Sequence, residues 1–436
     1  MLISSNEEFA RIFPLKGRYY YAIASGIRLH LLGHFLRYTR ISGIGDLRMP
    51  LLVIMPSGSG KQAIMDFLKY IITNCEGTER GVMPNYVISS NDGDPAASDR
   101  SPEGYYWDSF RVPLSLHPEQ MVGKTVRVNE RGKLKYVQQY GYLASNYICI
   151  DEAYELLTDD TGHENTRKYI IKALDPIGSN VIEKAPVDIP SCYAIRYAPV
   201  CSICMMSQPV HPSHNIVSRG FLRRFQVCYT EIPFEEKMEY GKMLVKSVDE
   251  IPDIGLLIDE LMALKTLEPD VQIDNSAIEA AMEMSKNELY KMGEPYRSVM
   301  LMPFRNALIK TAILDVISRD PKDHVCISDI DVLQAYETLL PVVDTTFAFV
   351  NKYISKIYSP QVHILNRLAR YGEASTSYLY YLIILHTNSC DFDSANGFLK
   401  NVLMRNSQYK LKLKDDKVYV TSMVKGSDQC PQIPVR

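Results

Sequence analysis

The sequence predicts an α/β fold: a parallel sheet with helices on both faces and β-hairpin insertions, then a helical segment and a small helix-and-hairpin domain. Three observations lead there. An apolar run at 51–54 breaks into a glycine-rich turn, a second at 147–150 ends in two adjacent acids, and strand and helix signals alternate from 51 to 206. At 436 residues the chain has room for two or three domains. Its 46% hydrophobic and 23% charged residues match an ordinary soluble protein, and no apolar stretch approaches a membrane span or signal sequence. Nine cysteines, an odd number at scattered spacings, point to a reducing cytosol. A net charge of −3 gives no global attraction to nucleic acid, so any such contact must come from local basic patches.

Residues 1–45 read as a helical lead-in. Ser5-Asn6-Glu7-Glu8 is a capping box ahead of Phe9 and Ile12-Phe13. The aromatic, apolar stretch Tyr19 to Tyr38, with Arg28, His30, His34 and Arg37 inserted, reads as a buried helix. Residues 46–232 form the α/β core, with a strand at 51–54, a helix from 61 to about 74, and strands near Tyr86-Val87-Ile88, at 147–150 and at Val200 to Met206. The extra length between Lys61 and Asp151 holds an insertion, where Lys124 to Asn129 and Lys133 to Val137 flank Glu130-Arg131-Gly132 as a hairpin signal. Its arms carry Lys124, Arg127, Arg131, Lys133 and Lys135 against Glu130 alone. That charge suits either a solvated surface hairpin or a loop touching nucleic acid.

Residues 233–357 read as all-helical, amphipathic around 250–265, 276–291, 300–318 and 328–355. Residues 358–422 give helices at Val362 to Arg370 and Ser375 to His386, a third starting at Asp393-Ser394, and a hairpin joining Tyr409 to Lys414 with Lys417 to Val420. Three helices and a hairpin make a winged helix. Its basic side chains outnumber its acids, and the third helix brings Lys400 and Arg405 as candidate DNA contacts, although winged helices also bind proteins. Residues 423–436 read as a disordered tail.

The chemistry sits in the two loops. In Met55-Pro56-Ser57-Gly58-Ser59-Gly60-Lys61-Gln62, the glycines let backbone N–H groups curl around an anion, and Lys61 adds a point charge at a helix N-terminus. This is a phosphate-binding loop with two departures: Met55 replaces the usual first glycine, and Gln62 the hydroxyl residue that holds magnesium. Tyr147-Ile148-Cys149-Ile150-Asp151-Glu152 delivers two carboxylates to a strand's C-terminal end. There Asp151 would orient Mg2+ and Glu152 would activate the attacking water. Together the two loops point to a nucleoside triphosphatase. Cys201-x-x-Cys204 with His211-x-x-His214 has the residues of a zinc site, but cysteines three apart on a strand face opposite sides, which suits core packing better.

Downstream, Ala173 to Val187, then Arg196-Tyr197-Ala198-Pro199-Val200 and Met205-Met206-Ser207-Gln208-Pro209, resemble the AAA+ ATPase module of the minichromosome-maintenance replicative helicases. The resemblance covers about residues 45–345 in order, with a family-like winged helix beyond. It implies a hairpin projecting into a hexamer's central channel, with Lys184 as the channel lysine; without it, Lys184 reads as an exposed turn lysine. It implies Gln208 in the place of the sensor 1 asparagine. Ile216 to Phe225 resembles the run whose arginine reaches the neighbouring subunit's ATP, which implies Arg224 as the trans finger, with Arg223 and Arg219 as near alternatives. Met302 to Leu308 resembles the sensor 2 helix and implies Arg305 as a phosphate contact. Arg224 and Arg305 also fit surface salt-bridge partners.

The resemblance implies an ATP- and Mg2+-dependent ATPase and DNA helicase, a homo-oligomeric, hexameric ring acting on DNA. It further implies a cytoplasmic, DNA-associated location, with replication or mobile-element proteins as partners. The family's amino-terminal DNA-encircling domain has no counterpart in the first 45 residues, and Gln62, Gln208 and Met55 soften the site. Those departures favour a rival reading: a non-helicase AAA+ initiator, loader or transposition regulator working as an ATP-dependent switch. A third is a scaffold that binds nucleotide without hydrolysing it.

Overall fold

The computed structural model describes residues 1–76, 86–89, 95–98, 111–112, 117–130, 133–158, 163–184, 194–212, 220–240, 248–289, 296–354, 360–371, 373–387, 389, 391–405 and 409–422. The expected tail and Arg219 lie outside these, as do Arg131 and the side chains of Arg127, Lys133 and Lys135. The chain divides into two compact units, Met1–Thr230 with Leu244–Phe347, and Glu231–Met243 with Ala348–Arg436. Among the described residues no helix is long and apolar enough to cross a membrane.

The first unit opens with α1 (Asn6–Ile12), where the Ser5 hydroxyl accepts from the Glu8 amide at 3.2 Å. Arg11 draws the Glu8 carboxylate the other way, at 2.9 Å. α2 (Arg18–Phe35) is apolar nearly all round, and sixteen of its residues are buried. The helical lead-in then stops earlier than expected. Residues 40–46 form a small hairpin of β1 (Arg40–Ile41) and β2 (Gly45–Asp46), because Gly43 and Gly45 take φ of 75° and 105°.

β3 (Leu51–Ile54) runs into the glycine-rich loop and α3 (Lys61–Glu76). β4 (Tyr86–Ser89), β5 (Pro95–Ser98), β7 (Gly123–Glu130) and β8 (Lys133–Tyr140) build an antiparallel insertion sheet in the order β5-β4-β8-β7. The strand expected near Tyr86 therefore belongs to this insertion and not to the core sheet; a short apolar run does not specify its partner. The edge strand of the core is β6 (Arg111–Val112), which pairs with β9 (Tyr147–Ile150). β10 (Ile182–Lys184) and β11 (Ile195–Tyr197) form a hairpin ahead of β12 (Ser202–Ser207), and β13 (Gln226–Tyr229) comes next. The core sheet has the order β13-β3-β12-β9-β6, every pair parallel. β3, β9 and β12 are buried along their whole length, which is why they read as unbroken apolar runs instead of alternating ones.

α2 runs along this sheet from one edge to the other. At its start the Thr230 hydroxyl donates to Tyr19 O at 2.8 Å and Tyr20 OH to Ser59 O at 3.2 Å. Towards its end His30 bonds Tyr147 OH at 2.9 Å and His34 bonds the Ser202 hydroxyl at 3.0 Å. Burial pushes these two imidazoles down to about 4 and about 3, so both are neutral packing groups at physiological pH.

α4 (Pro118–Val122), α5 (Tyr154–Thr158) and α6 (Glu164–Leu174) connect the strands. α7 (Ile254–Lys265), α8 (Asn275–Leu289), α9 (Tyr296–Arg319) and α10 (Asp329–Tyr353) make up most of the later stretch. It is not all helix, since β14 (Asp270–Ile273) pairs in parallel with β15 (His324–Ile327). Four-residue strands between strong helices are too short to register as a pattern.

In the second unit, α11 (Pro360–Tyr371), β16 (Glu373–Ser375), α12 (Thr376–His386), α13 (Phe392–Phe398), β17 (Tyr409–Lys414) and β18 (Lys417–Ser422) succeed one another in that order. The strands form an antiparallel sheet in the order β16-β18-β17. Ser375 and Asp391 cap α12 and α13 by accepting from the amides of Tyr378 and Ser394. Asp415 and Asp416, with φ of 51° and 57°, make the two-residue turn between β17 and β18.

Candidate functional site

Parallel register fixes where the loops end up. Ser207 pairs with Ile54, and Met205 with Ile150, so β3, β12 and β9 finish together at one edge of the sheet. Backbone bonds tie the segments beyond these strands to β12, Met55 N–H to Ser207 O at 3.1 Å and Ala153 N–H to Met206 O at 2.7 Å. Lys61, the Asp151–Glu152 pair and Gln208 therefore gather around the end of β12. Loops beyond the carboxyl ends of parallel strands are the usual ligand crevice of open α/β sheets.

Gly58 and Gly60 take φ of 71° and 95°, and a Cβ on Gly58 would meet nothing within 4 Å. The loop is thus left-handed where glycine is needed and open where a ligand would approach. Met55 is fully buried and is absent from the residues at positive φ, so a side chain costs nothing there. Ser59 is buried and its hydroxyl has no partner, while its carbonyl holds Tyr20 OH. Pro56 and Gly60 are half-buried, and Ser57 and Gly58 are exposed at the tip. Lys61 reaches back to Met55 O at 3.3 Å. Burial lowers its pKa, and the charges of Asp151 and Glu152 work against that, which places both carboxylates in its field.

Asp151 accepts the Glu152 amide at 2.9 Å, which sets the carboxylate's orientation. Glu152 itself has a φ of 52°, a left-handed conformation that costs a non-glycine residue about 1–2 kcal/mol. Gln62 bonds Asp66 at 2.7 Å along the outer face of α3, so its amide is directed down the helix. The oxygen donors suit Mg2+, which takes one or two carboxylates with phosphate oxygens and water. Asp151 would be the protein ligand.

Arg224 and Arg305 lie elsewhere. Arg224 ends a 3-10 turn, Leu222–Arg224, just before β13, whose Gln226 pairs with Leu51 at the start of β3. It is thus on the opposite edge of the sheet from Lys61. There it pairs with Asp175 at 3.2 Å and donates to Gly220 O at 3.1 Å; Arg223 beside it is exposed. Arg305 bonds Asn306 at 2.8 Å on α9. Its neighbours Phe304 and Asn306 border the same cavity as Pro50 and Arg224, so Arg305 belongs to that far edge too.

Lys184 is the last residue of β10 and pairs with Ile195 of β11; residues 185–193, which join the two strands, lie outside the described residues. Lys184 donates to Gly123 O at 3.4 Å and lies 3.6 Å from Glu119. Lys124, Lys400 and Arg405 are exposed, Lys124 on β7 and the other two near the end of the third helix of the second unit. Three contributors gave no motif: Tyr20, Asp175, and Arg48, which binds Asp46 at 2.8 Å and the carbonyls of Ala173, Cys201 and Asp175. Each acts through a partner more than 35 positions away or through backbone, which spacing cannot reveal. Comparison of the chain with family models and with curated proteins finds no match.

Proposed function

We propose that the chain is an ATP-dependent AAA+ motor of the minichromosome-maintenance type, acting on DNA as a ring with ATP between subunits. One observation carries this reading: Lys61, Asp151, Glu152 and Gln208 converge at one sheet edge, while Arg224 and Arg305 stand at the other. In this reading Lys61 binds the β- and γ-phosphates, Asp151 orients Mg2+, and Glu152 takes the proton of the attacking water. Bound Mg2+ would neutralise charge on the phosphate oxygens. Gln208 would position the water or γ-phosphate from the end of the central strand. Arg224, across the length of the sheet from its own chain's loop, would complete a neighbour's site, and Arg305 would join it there.

The hairpin β10–β11 directly before β12 has the place that the resemblance implies for a channel insertion, with Lys124 within electrostatic reach of Lys184. In the second unit the order helix, strand, helix, helix, strand, strand is that of a winged helix, and Lys400 and Arg405 would meet phosphates there. The test is ATP hydrolysis with and without DNA, alongside strand displacement. Stimulation by DNA and unwinding lost in Lys61→Ala support the motor; no effect of DNA on hydrolysis contradicts it.

The bond between Gln62 and Asp66 favours a second reading. With the loop giving Mg2+ no hydroxyl, turnover would be slow, as suits an initiator, loader or transposition regulator that switches with ATP among replication or mobile-element partners. DNA binding without ATP, and no unwinding with it, selects this alternative.

A further inference from the structure

We propose that the edge of the core sheet opposite the glycine-rich loop holds a second ligand site, for a carboxylate with an apolar body. A cavity of about 630 Å³ opens there among the start of β3, the turn before β13, α9 and α10. That volume is within the range of small-molecule sites. Phe225, Phe304 and Phe347 give it apolar walls, and Lys310 adds an ammonium. No carboxylate among the described residues lines it.

Lys310 is short of a counter-charge. Its ammonium has three donors, and the bond described for it goes to a neutral acceptor, Arg48 O, at 3.0 Å. The carboxylate acting on it is Asp46, which is already held by Arg48 at 2.8 and 3.0 Å and by the Ile177 amide at 2.9 Å. The other charged side chains lining the cavity are Arg48, paired with Asp46, Arg224, paired with Asp175 at 3.2 Å, and the exposed Arg223. Burial pulls Lys310 down to about 8, with Asp46 opposing and Arg48 adding to the fall. An anionic headgroup would satisfy Lys310, and the aromatic walls would cover a hydrocarbon tail.

The probe is decanoate, titrated calorimetrically into the full chain, with decanol as the uncharged control. The expected result is saturable 1:1 binding of decanoate and at least tenfold weaker binding of decanol. Lys310→Met should weaken decanoate at least tenfold. In the unaltered protein, the Kd should rise about tenfold from pH 7 to pH 9, as the fraction of protonated Lys310 falls. Lys61→Ala should leave decanoate binding unchanged, which separates this site from the nucleotide site. Equal binding of decanol, a Kd flat between pH 7 and pH 9, or no binding at all would overturn the proposal. If Lys310→Met does not melt cooperatively, the pH series on the unaltered chain decides.

Discussion

Lys61 and Arg224 stand at opposite ends of two neighbouring parallel strands: Lys61 beyond the end of β3, and Arg224 just before β13. Four paired residues at about 3.3 Å each separate those ends, so no rotamer brings the guanidinium to the lysine's phosphate. The proposed ATPase therefore needs two subunits per site. Lys61→Ala and Arg224→Ala should each be inactive. A 1:1 mixture should regain roughly a quarter of the activity, from interfaces that pair an intact loop with an intact finger. Phosphate release by the mixture measures this, and a mixture as inactive as its components contradicts it.

Glu152 should tolerate some substitutions better than others because of its left-handed backbone. Glu152→Gln keeps the local hydrogen bonds and should bind ATP while losing about 100-fold or more in hydrolysis. Glu152→Gly relieves the strain and should raise stability by about 0.5–1 kcal/mol with the same loss of activity. Glu152→Val, β-branched at positive φ, should lower the melting temperature. Thermal melts beside phosphate-release assays check all three, and Glu152→Val melting above Glu152→Gly would show that the conformation is not held in solution.

The sequence made the strands and helices around the chemistry legible because the same features create them. Buried parallel strands read as apolar runs, and a loop that must take positive φ announces itself with Gly58 and Gly60. The two acids after Ile150 were legible for the same reason, since they follow directly on a buried strand. Pairings stayed hidden. Nothing in Arg111-Val112 marks a sheet edge, and the run at Tyr86 could not say which sheet it joins. Likewise Asp175 holding Arg224, or Arg48 holding the carbonyls of Ala173 and Cys201, is a contact between segments that only the folded chain brings together.

Acid should loosen the end of α3. Glu76 is buried there and accepts from His34, Arg37 and Lys265 at 3.2–3.3 Å. Burial works to raise its carboxyl, but the hydrogen bond from His34 and the charges of Arg37 and Lys265 prevail and hold it down to about 2. A depressed carboxyl contributes stability that is complete above its unfolded value near 4.5 and is lost as pH falls towards 2. The contribution is of order 3 kcal/mol. Glu76→Gln should therefore be less stable than the parent at pH 6, and the difference should shrink between pH 4.5 and pH 2. Denaturant midpoints across that window measure it; a constant gap would rule out the ion pairs as its source.

The β17–β18 hairpin should dominate salt-sensitive DNA binding by the second unit. Lys410, Lys412 and Lys414 share one exposed face of β17 while Leu411 turns inward, and Lys417 and Tyr419 are their cross-strand partners. Lys412→Ala with Lys414→Ala should lower the slope of log K against log salt by about 2. β17 is an edge strand, and lysines there also block edge-to-edge pairing. An unchanged slope with increased aggregation would assign them to that duty instead.

The most direct measurement is calorimetric titration of ATP with Mg2+ into the chain and into Lys61→Ala and Asp151→Asn. Saturable binding by the parent is expected, at least tenfold weaker in Lys61→Ala, with the Mg2+ dependence lost in Asp151→Asn. Equal affinity in all three, or no binding by the parent, would mean that the edge where β3, β12 and β9 end is not a nucleotide site.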